Sequence, residues 1–433
     1  MKRKLLVTLV VVVVFLLPLT AQKKVGVDEV VYRRSSLHTM VIESGEMLKG
    51  DLVMSSYNLA PFPEKYNDHR LEIKTFDATK YAPGAVEKMQ VGGDPKELEK
   101  KQKKAEQELP GQIASYFAEA GVAKQMVAKW FNRQEDGSFD MSLIHDRGSY
   151  NASEMEAAIA SGSIRGMASL KDAGEELIKN TFVVVNRMRF VENELAARIT
   201  RDIALVAASQ IPNDIARTIT ETAAKVAYEA TKDGYSVWTI SYLFQLEWND
   251  DIANQFYEEM WVDKSNIDPA VVAKFDETDI FKINYVGFEK AKSIVLISAG
   301  KSERQIIQQA TIRNVDKVYT KLQKAYDVFK TKTPIKSVEK GVFAQIGMKE
   351  GVEGGDKFAV LEQRMNKDGL TEYKQIGIVK ADKKLLWDNR YYVDGAEDEA
   401  DKKEKDSGAK ELGGTNFKGK GNYEPGMLLR QVK

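Results

Sequence analysis

From Ser236 to Trp248 the chain alternates with period two. Trp238, Ile240, Tyr242, Phe244, Leu246 and Trp248 take one side, and Val237, Thr239, Ser241, Leu243, Gln245 and Glu247 take the other. Successive side chains of a strand point to opposite faces. This run therefore predicts a long strand of an antiparallel sheet, packed on its aromatic face and mostly polar on the other. Thr181 to Phe190 predicts a second strand, with Phe182, Val184, Met188 and Phe190 sharing a face, and Phe281, Ile283 and Tyr285 mark a third. Residues Asp28 to Tyr81 suggest short strands and loops. Among them Leu37, Thr39 and Val41 alternate with His38, Met40 and Ile42, as in a strand buried on both faces, and Leu59 to His69 forms a Pro-punctuated loop.

Two Ala-rich helices separate the first two of these strands. One runs from about Glu194 to Gln210, and Pro212 interrupts before the next, where Ile215, Ile219, Ala223, Val226 and Ala230 recur at helical spacing. They predict a stiff helical hairpin covering the sheet. A polar face that mixes acids with few lysines argues against a membrane-surface helix. Lys96 to Leu109 is a solvated helix or tether, and Pro110-Gly111 opens an amphipathic helix through Ile113, Phe117, Val122 and Trp130. Asn249 or Asp250 caps a helix carrying Ile252, Phe256 and Met260. Ser302 and Gln305 form a capping box for a helix reaching about Lys330, with Val315, Val318, Leu322, Ala325 and Phe329 as its stripe.

Beyond Pro334 the character changes. Strands are expected at Val342–Ile346, Lys357–Glu362, Tyr373–Lys380 and Met427–Arg430, with a hairpin turn at Asn366-Lys-Asp-Gly369 and positive φ at Gly351 and Gly355. Asp394 to Gly414 is a charged loop, expected to be mobile. The fold class is thus α+β: an antiparallel sheet packed by helices that include the Ala-rich hairpin, plus a small C-terminal β-barrel. Its parts are a leader (1–21), N-terminal strands, loops and charged tether (22–110), an α+β domain (111–333) and the barrel module (334–433).

The leader is a secretory signal in layout: Met1-Lys-Arg-Lys4 is basic, Leu5–Leu17 is apolar, Pro18 breaks the helix, and Ala21 is small. No later stretch is long and apolar enough to span a bilayer. Lys+Arg and Asp+Glu both number 64, so no net positive charge favours nucleic acid. With no cysteine there are no disulfides, thiol nucleophiles or thiolate metal sites.

Ile346-Gly-Met-Lys-Glu-Gly-Val-Glu-Gly-Gly-Asp-Lys-Phe358 and Ile376-Gly-Ile-Val-Lys380 resemble the SH3-like barrel of periplasmic flagellar-assembly and curli-secretion-related proteins. The mature chain also resembles an uncharacterised family of exported proteins of Gram-negative bacteria, through Glu64-Lys-Tyr-Asn-Asp-His69, Glu175–Val185 and Trp387-Asp-Asn-Arg-Tyr391. That resemblance implies the cell envelope and carries no functional residues.

Several groups imitate reactive sites. Asn132–Asp140 places side-chain oxygens as a calcium loop does, with Gly137 at the sixth position, but Leu143 stands where a bidentate Glu is needed. Asp68-His69-Arg70 and His145-Asp146-Arg147 set carboxylates beside imidazoles, though sequence neighbours are poorly placed for acyl transfer. Gly419-Lys-Gly421 lacks the context of a dinucleotide loop. Trp238, Trp248 and Trp261 suit a core better than a sugar platform. No catalytic, cofactor-binding or metal residues are assigned and no cofactor is expected. The expectation is a non-catalytic envelope protein, periplasmic or at the outer-membrane periphery. It would bind envelope proteins through the barrel edge or the hairpin, with self-association a further option. The alternative is a glycan- or cell-wall-binding protein or hydrolase.

Overall fold

The computed structural model describes residues 35–43, 49–77, 95–151, 176–233, 235–295, 302–365, 371–391 and 412–432, with Gly174 and Lys367. The leader, the Asn366–Gly369 turn apart from Lys367, and the 394–414 loop up to residue 411 lie outside them. No described helix is long and apolar enough to cross a membrane.

The fold is mixed α and β with two sheets. β4 (Thr181–Glu192), β5 (Tyr235–Leu246) and β6 (Ile283–Val295) form an antiparallel meander. β1 (Ser36–Glu43) adds to β4 in parallel, and β2 (Asn67–Asp68) and β3 (Thr75–Asp77) pair with β1, also in parallel. The order β2-β1-β4-β5-β6 is therefore mixed, which corrects the expected antiparallel sheet. The cause lies between β1 and β4: α2 (Pro95–Glu119), α3 (Val122–Trp130) and α4 (Ser142–Asn151) make a crossover, the connection that parallel neighbours require. The first of these helices runs straight through Pro110 rather than starting there.

Both faces of the sheet are covered, which corrects the expected polar face. One side packs Met40, Val183, Val185, Tyr242 and Phe244 against Ile113, Phe117, Met126 and Trp130, and against α7 (Asp250–Glu259) and α8 (Pro269–Glu277) through Phe256 and Phe275. The other packs Leu37, Phe182, Val184, Val237 and Leu243 against α1 (Gly50–Asn58) and α9 (Glu303–Ala325), which contributes Ile307, Val318 and Leu322. β5 tolerates this in part because Ser241 finds its hydrogen bond inside the protein, whereas the buried Thr239 hydroxyl has no hydrogen-bond partner. Buried Ser241 donates to Asn186 Oδ1 at 2.5 Å, and Asn186 Nδ2 donates to the Met40 carbonyl at 3.2 Å. Asn249 caps α7 by accepting from the Ile252 amide at 3.0 Å, and Ser302 with Gln305 forms the expected box on α9, which ends at Ala325.

Between β4 and β5 rise α5 (Asn193–Ser209) and α6 (Asp214–Thr231). They pack on each other, and none of their described side chains joins either core cluster, so the expectation that they cover the sheet is corrected. α1 and α9 already occupy one face and α2, α3, α7 and α8 the other. Buried Asn193 pins the hairpin's root: it accepts from Ser236 Oγ, and its Nδ2 reaches the Asp233 carbonyl.

The C-terminal strands are β7 (Thr333–Ser337), β8 (Val342–Ala344), β9 (Lys357–Met365), β10 (Thr371–Ala381), β11 (Thr415–Lys418) and β12 (Leu428–Gln431). They close into a barrel of order β10-β11-β8-β7-β12-β9 around Ile335, Phe358, Val360, Val379 and Phe417. Gly351 and Gly355 take φ of 71° and 99° in the turn before β9, as expected.

Candidate functional site

The histidines are absorbed by the fold. His69 is fully buried, its ring stacked on Trp130 at 4.9 Å. Its Nε2 faces the Met126 carbonyl at 3.0 Å and its Nδ1 faces the Arg147 guanidinium at 2.9 Å. Only the neutral tautomer protonated on Nε2 satisfies both, so the Nδ1 lone pair is already taken by a cation. Burial first, and Arg147 second, hold its pKa well below the usual histidine range. His38 is as deeply buried. Its Nδ1 accepts from the Leu71 amide at 3.1 Å, and burial pushes its pKa down to about 4.

Arg147 ties this corner together. It donates to Ser36 Oγ and the Asp68 carbonyl and lies 4.6 Å over the Trp130 ring. The Asp68 carboxylate turns to Arg70, at 2.5 Å, and not to His69. A base with no free lone pair and no carboxylate behind it cannot serve acyl transfer. The His145 side chain lies outside the described residues.

The calcium-like loop also spends its oxygens on itself. Asp140 Oδ2 accepts from Asn132 at 2.7 Å, and its Oδ1 accepts from the Ser142 amide. Asp136 accepts from both the amide and the hydroxyl of Ser138. Among the described residues no three His, Cys, Asp or Glu side chains cluster as a metal site would need. Trp248 belongs to the aromatic core with Phe131 and Phe256, and Trp261 packs at its margin. Trp238 sits apart on β5 under Lys292, 4.8 Å from its ring centre. Gly419 and Gly421 pack against Val379 and Tyr423 of the barrel.

Sequence reasoning missed Asp316 on α9, where α9 meets the barrel. Its Oδ2 is buried without a hydrogen-bond partner, and desolvation raises its pKa to about 7 despite nearby Lys349. Around it Arg313 donates to the Tyr391 carbonyl, Thr320 donates to the Lys349 carbonyl, and Glu350 accepts from the Gly347 amide and from Asn389. Helical spacing gave Asp316 no special place. Its charged neighbours Lys349, Glu350 and Glu64 all lie more than thirty residues away along the chain.

Two kinds of unpaired surface stand out among the described residues. Sheet edges are the first. The barrel is closed, so the expected strand addition at its edge has no edge to use. β6 is paired on one side only, and its other side is occupied. Lys317 and Lys321 donate to the Lys292 and Lys290 carbonyls, at 3.0 and 2.6 Å. Tyr326 Oη accepts from the Phe288 amide and donates to the Phe288 carbonyl, both at 3.0 Å. Gly287 makes room, since a Cβ there would strike the Tyr326 ring.

The hairpin is the second kind. Ile203, Val206, Ile215, Ile219 and Val226 are 53–74% exposed. Single exposed aliphatics are ordinary, but five on one supersecondary element mark a contact surface.

No family model matches this sequence, and no curated protein matches it significantly.

Proposed function

We propose that this is a non-catalytic cell-envelope protein that works by binding other proteins, in the periplasm or at the outer-membrane periphery, and that its C-terminal barrel is SH3-like. The aliphatic surface of the α5–α6 hairpin carries this reading: five large aliphatic side chains stand exposed on an element none of whose described side chains joins the sheet's core clusters. The basic, apolar and small-residue layout of residues 1–21 supports the compartment. The burial of both rings, with each ring nitrogen of His69 and the Nδ1 of His38 already bonded, supports the absence of acid–base chemistry at that corner.

The test is affinity capture with the full chain from its native envelope, run beside assays for cell-wall binding and hydrolysis. Stoichiometric co-purification of a protein, with no turnover of glycan, is the expected result. Glycan capture or hydrolysis without any protein partner would replace this reading with the alternative. His69→Ala is a poor probe of function, because it removes a buried, doubly bonded ring and acts on stability.

A further inference from the structure

The hairpin carries five exposed aliphatic side chains on the sides turned away from its seam. On α5 the residues turned toward α6 are Ala197, Arg201 and Ala208; on α6 they are Ala224 and Tyr228, with the Arg201 guanidinium 4.6 Å from the Tyr228 ring centre. Ile203 lies two positions from Arg201, Val206 two from Ala208, and Val226 two from both Ala224 and Tyr228. Residues two apart on a helix at 3.6 per turn are about 200° apart. The aliphatic stripe of α5 therefore faces away from the seam on one edge of the hairpin. The stripe of α6, where Ile215, Ile219 and Val226 follow at helical spacing, faces away on the other. Alanines, Arg201 and Tyr228 line the seam beside half-buried Leu205, and the five exposed aliphatics lie on the two outer edges.

We propose that chains associate edge to edge through this hairpin, the α5 stripe of one copy against the α6 stripe of the next. The inference rests on the protein-binding reading above and names the partner as a second copy.

Three observations select that occupant. First, the edges match. α5 and α6 have 17 and 18 residues, each about 26 Å long at 1.5 Å per residue, so one stripe can lie along the other for its whole length. Second, charge permits it. From Asn193 to Lys232 there are five acids (Glu194, Asp202, Asp214, Glu221, Glu229) and five bases (Arg198, Arg201, Arg217, Lys225, Lys232), so 5 − 5 leaves no net charge. Like copies do not repel, and an anionic lipid surface gains nothing from the hairpin. Third, two apolar edges on one rigid element suit a head-to-tail contact, which uses both edges of every interior copy, better than a two-fold contact, which uses one. A single helix edge of roughly 26 by 10 Å falls well short of the ~800 Å² per partner of a standard interface. The assembly is thus weak as a dimer and gains strength when each copy uses both edges.

The chain has no cysteine, so engineered thiols report on chosen positions alone. Full-length mature protein carrying Val206→Cys and Ile219→Cys together should give a ladder of covalent multimers on oxidation. Val206→Cys alone and Ile219→Cys alone should not link to themselves, whereas a mixture of the two should give dimers. Adding Ile215→Asp to the double variant should remove the ladder while circular dichroism stays unchanged. Dimers from a single-thiol variant alone would overturn the head-to-tail geometry in favour of a two-fold one. Absence of any ladder, with the protein floating on neutral phosphatidylcholine vesicles or staying monomeric in sedimentation, would overturn self-association. Those results would leave the protein-binding reading standing if envelope proteins were still captured. Glycan turnover by an assembled protein would sink that reading and leave the assembly intact.

Discussion

β6 and the α5–α6 hairpin both lie at the margin of the same sheet, and the chain finishes their unpaired sides in opposite ways. β6 offers backbone groups that any strand could pair with, and α9 places Lys317, Lys321 and Tyr326 on them. The hairpin has no unpaired ladder but offers aliphatic side chains, and nothing in the described chain covers them. Pairing at a strand edge is unselective because it reads only backbone, whereas a side-chain stripe discriminates by shape and spacing. Selective contact is left open where unselective contact is closed.

That contrast needs a platform that stays folded, and removing its centre has the largest effect. Phe256 is fully buried among Phe131, Phe139, Trp248, Phe275 and Phe281. Phe256→Ala should cost about 3–5 kcal/mol in urea unfolding. A loss under about 1 kcal/mol would mean that this aromatic layer is not the sheet's support.

Acid should act next. A histidine whose folded pKa lies below its unfolded value stays neutral in the fold while the unfolded chain takes up a proton. Stability is therefore full above about pH 6.5 and falls as pH drops toward 4, where the folded His38 titrates too. The drop from this residue is about 3 kcal/mol, and His69 adds a slope of the same sign. Unfolding midpoints measured from pH 7 to 4.5 should show it, and His38→Asn, which keeps an acceptor for the Leu71 amide, should flatten it. A midpoint independent of pH over that range would remove the neutral, buried assignment.

Opening the guarded edge should cost less and change behaviour more. Tyr326→Phe loses the hydroxyl that serves both backbone groups of Phe288, about 1–2 kcal/mol. It also leaves a length of β6 able to pair with other chains. Light scattering on warming should rise at a lower temperature than in the parent, and unchanged scattering would mean that the edge was never a hazard. The smallest effect belongs to the open surface. Ile215 is 74% exposed, so Ile215→Asp should leave the unfolding free energy of dilute, monomeric protein within about 0.5 kcal/mol of the parent. A large loss would place that side chain inside the fold and erase the contrast.

Local patterns were legible in the sequence because local physics sets them. Period two located β4 and β5, the Ser302–Gln305 pair located the start of α9, and Gly351 and Gly355 marked positive φ. What spacing cannot carry is the identity of the partner. The stripe Ile215–Ile219–Val226 showed an apolar face, and only the crowding of both sheet faces decided that it stays outside. Thr239 and Ser241 looked like a wet face and are buried under α9; Asn186 on the neighbouring strand bonds Ser241, and the Thr239 hydroxyl goes without a partner. Asp68-His69 looked like a pair until Arg70 and Arg147, from different distances along the chain, claimed one group each. The plug on β6 joins Tyr326 to Phe288 across 38 residues and left no trace in any local pattern.

The parallel seam of the sheet has a consequence for the order of assembly. β1 lies inside the sheet, between β2 and β4, and Ser36 faces Thr181, a separation of 181 − 36 = 145 residues. β4, β5 and β6 are nearest neighbours in sequence order and can pair by short-range closure, apart from the self-contained hairpin between the first two. To reach β4, β1 instead closes a long loop before those contacts repay the lost chain entropy, and such pairings form slowly. A chain made from its N terminus thus carries Leu37, Met40, Val41 and Ile42 unburied until β4 follows. Of the strands in this sheet the first in sequence waits longest for one of its neighbours, and for that interval its apolar side chains are open to other chains.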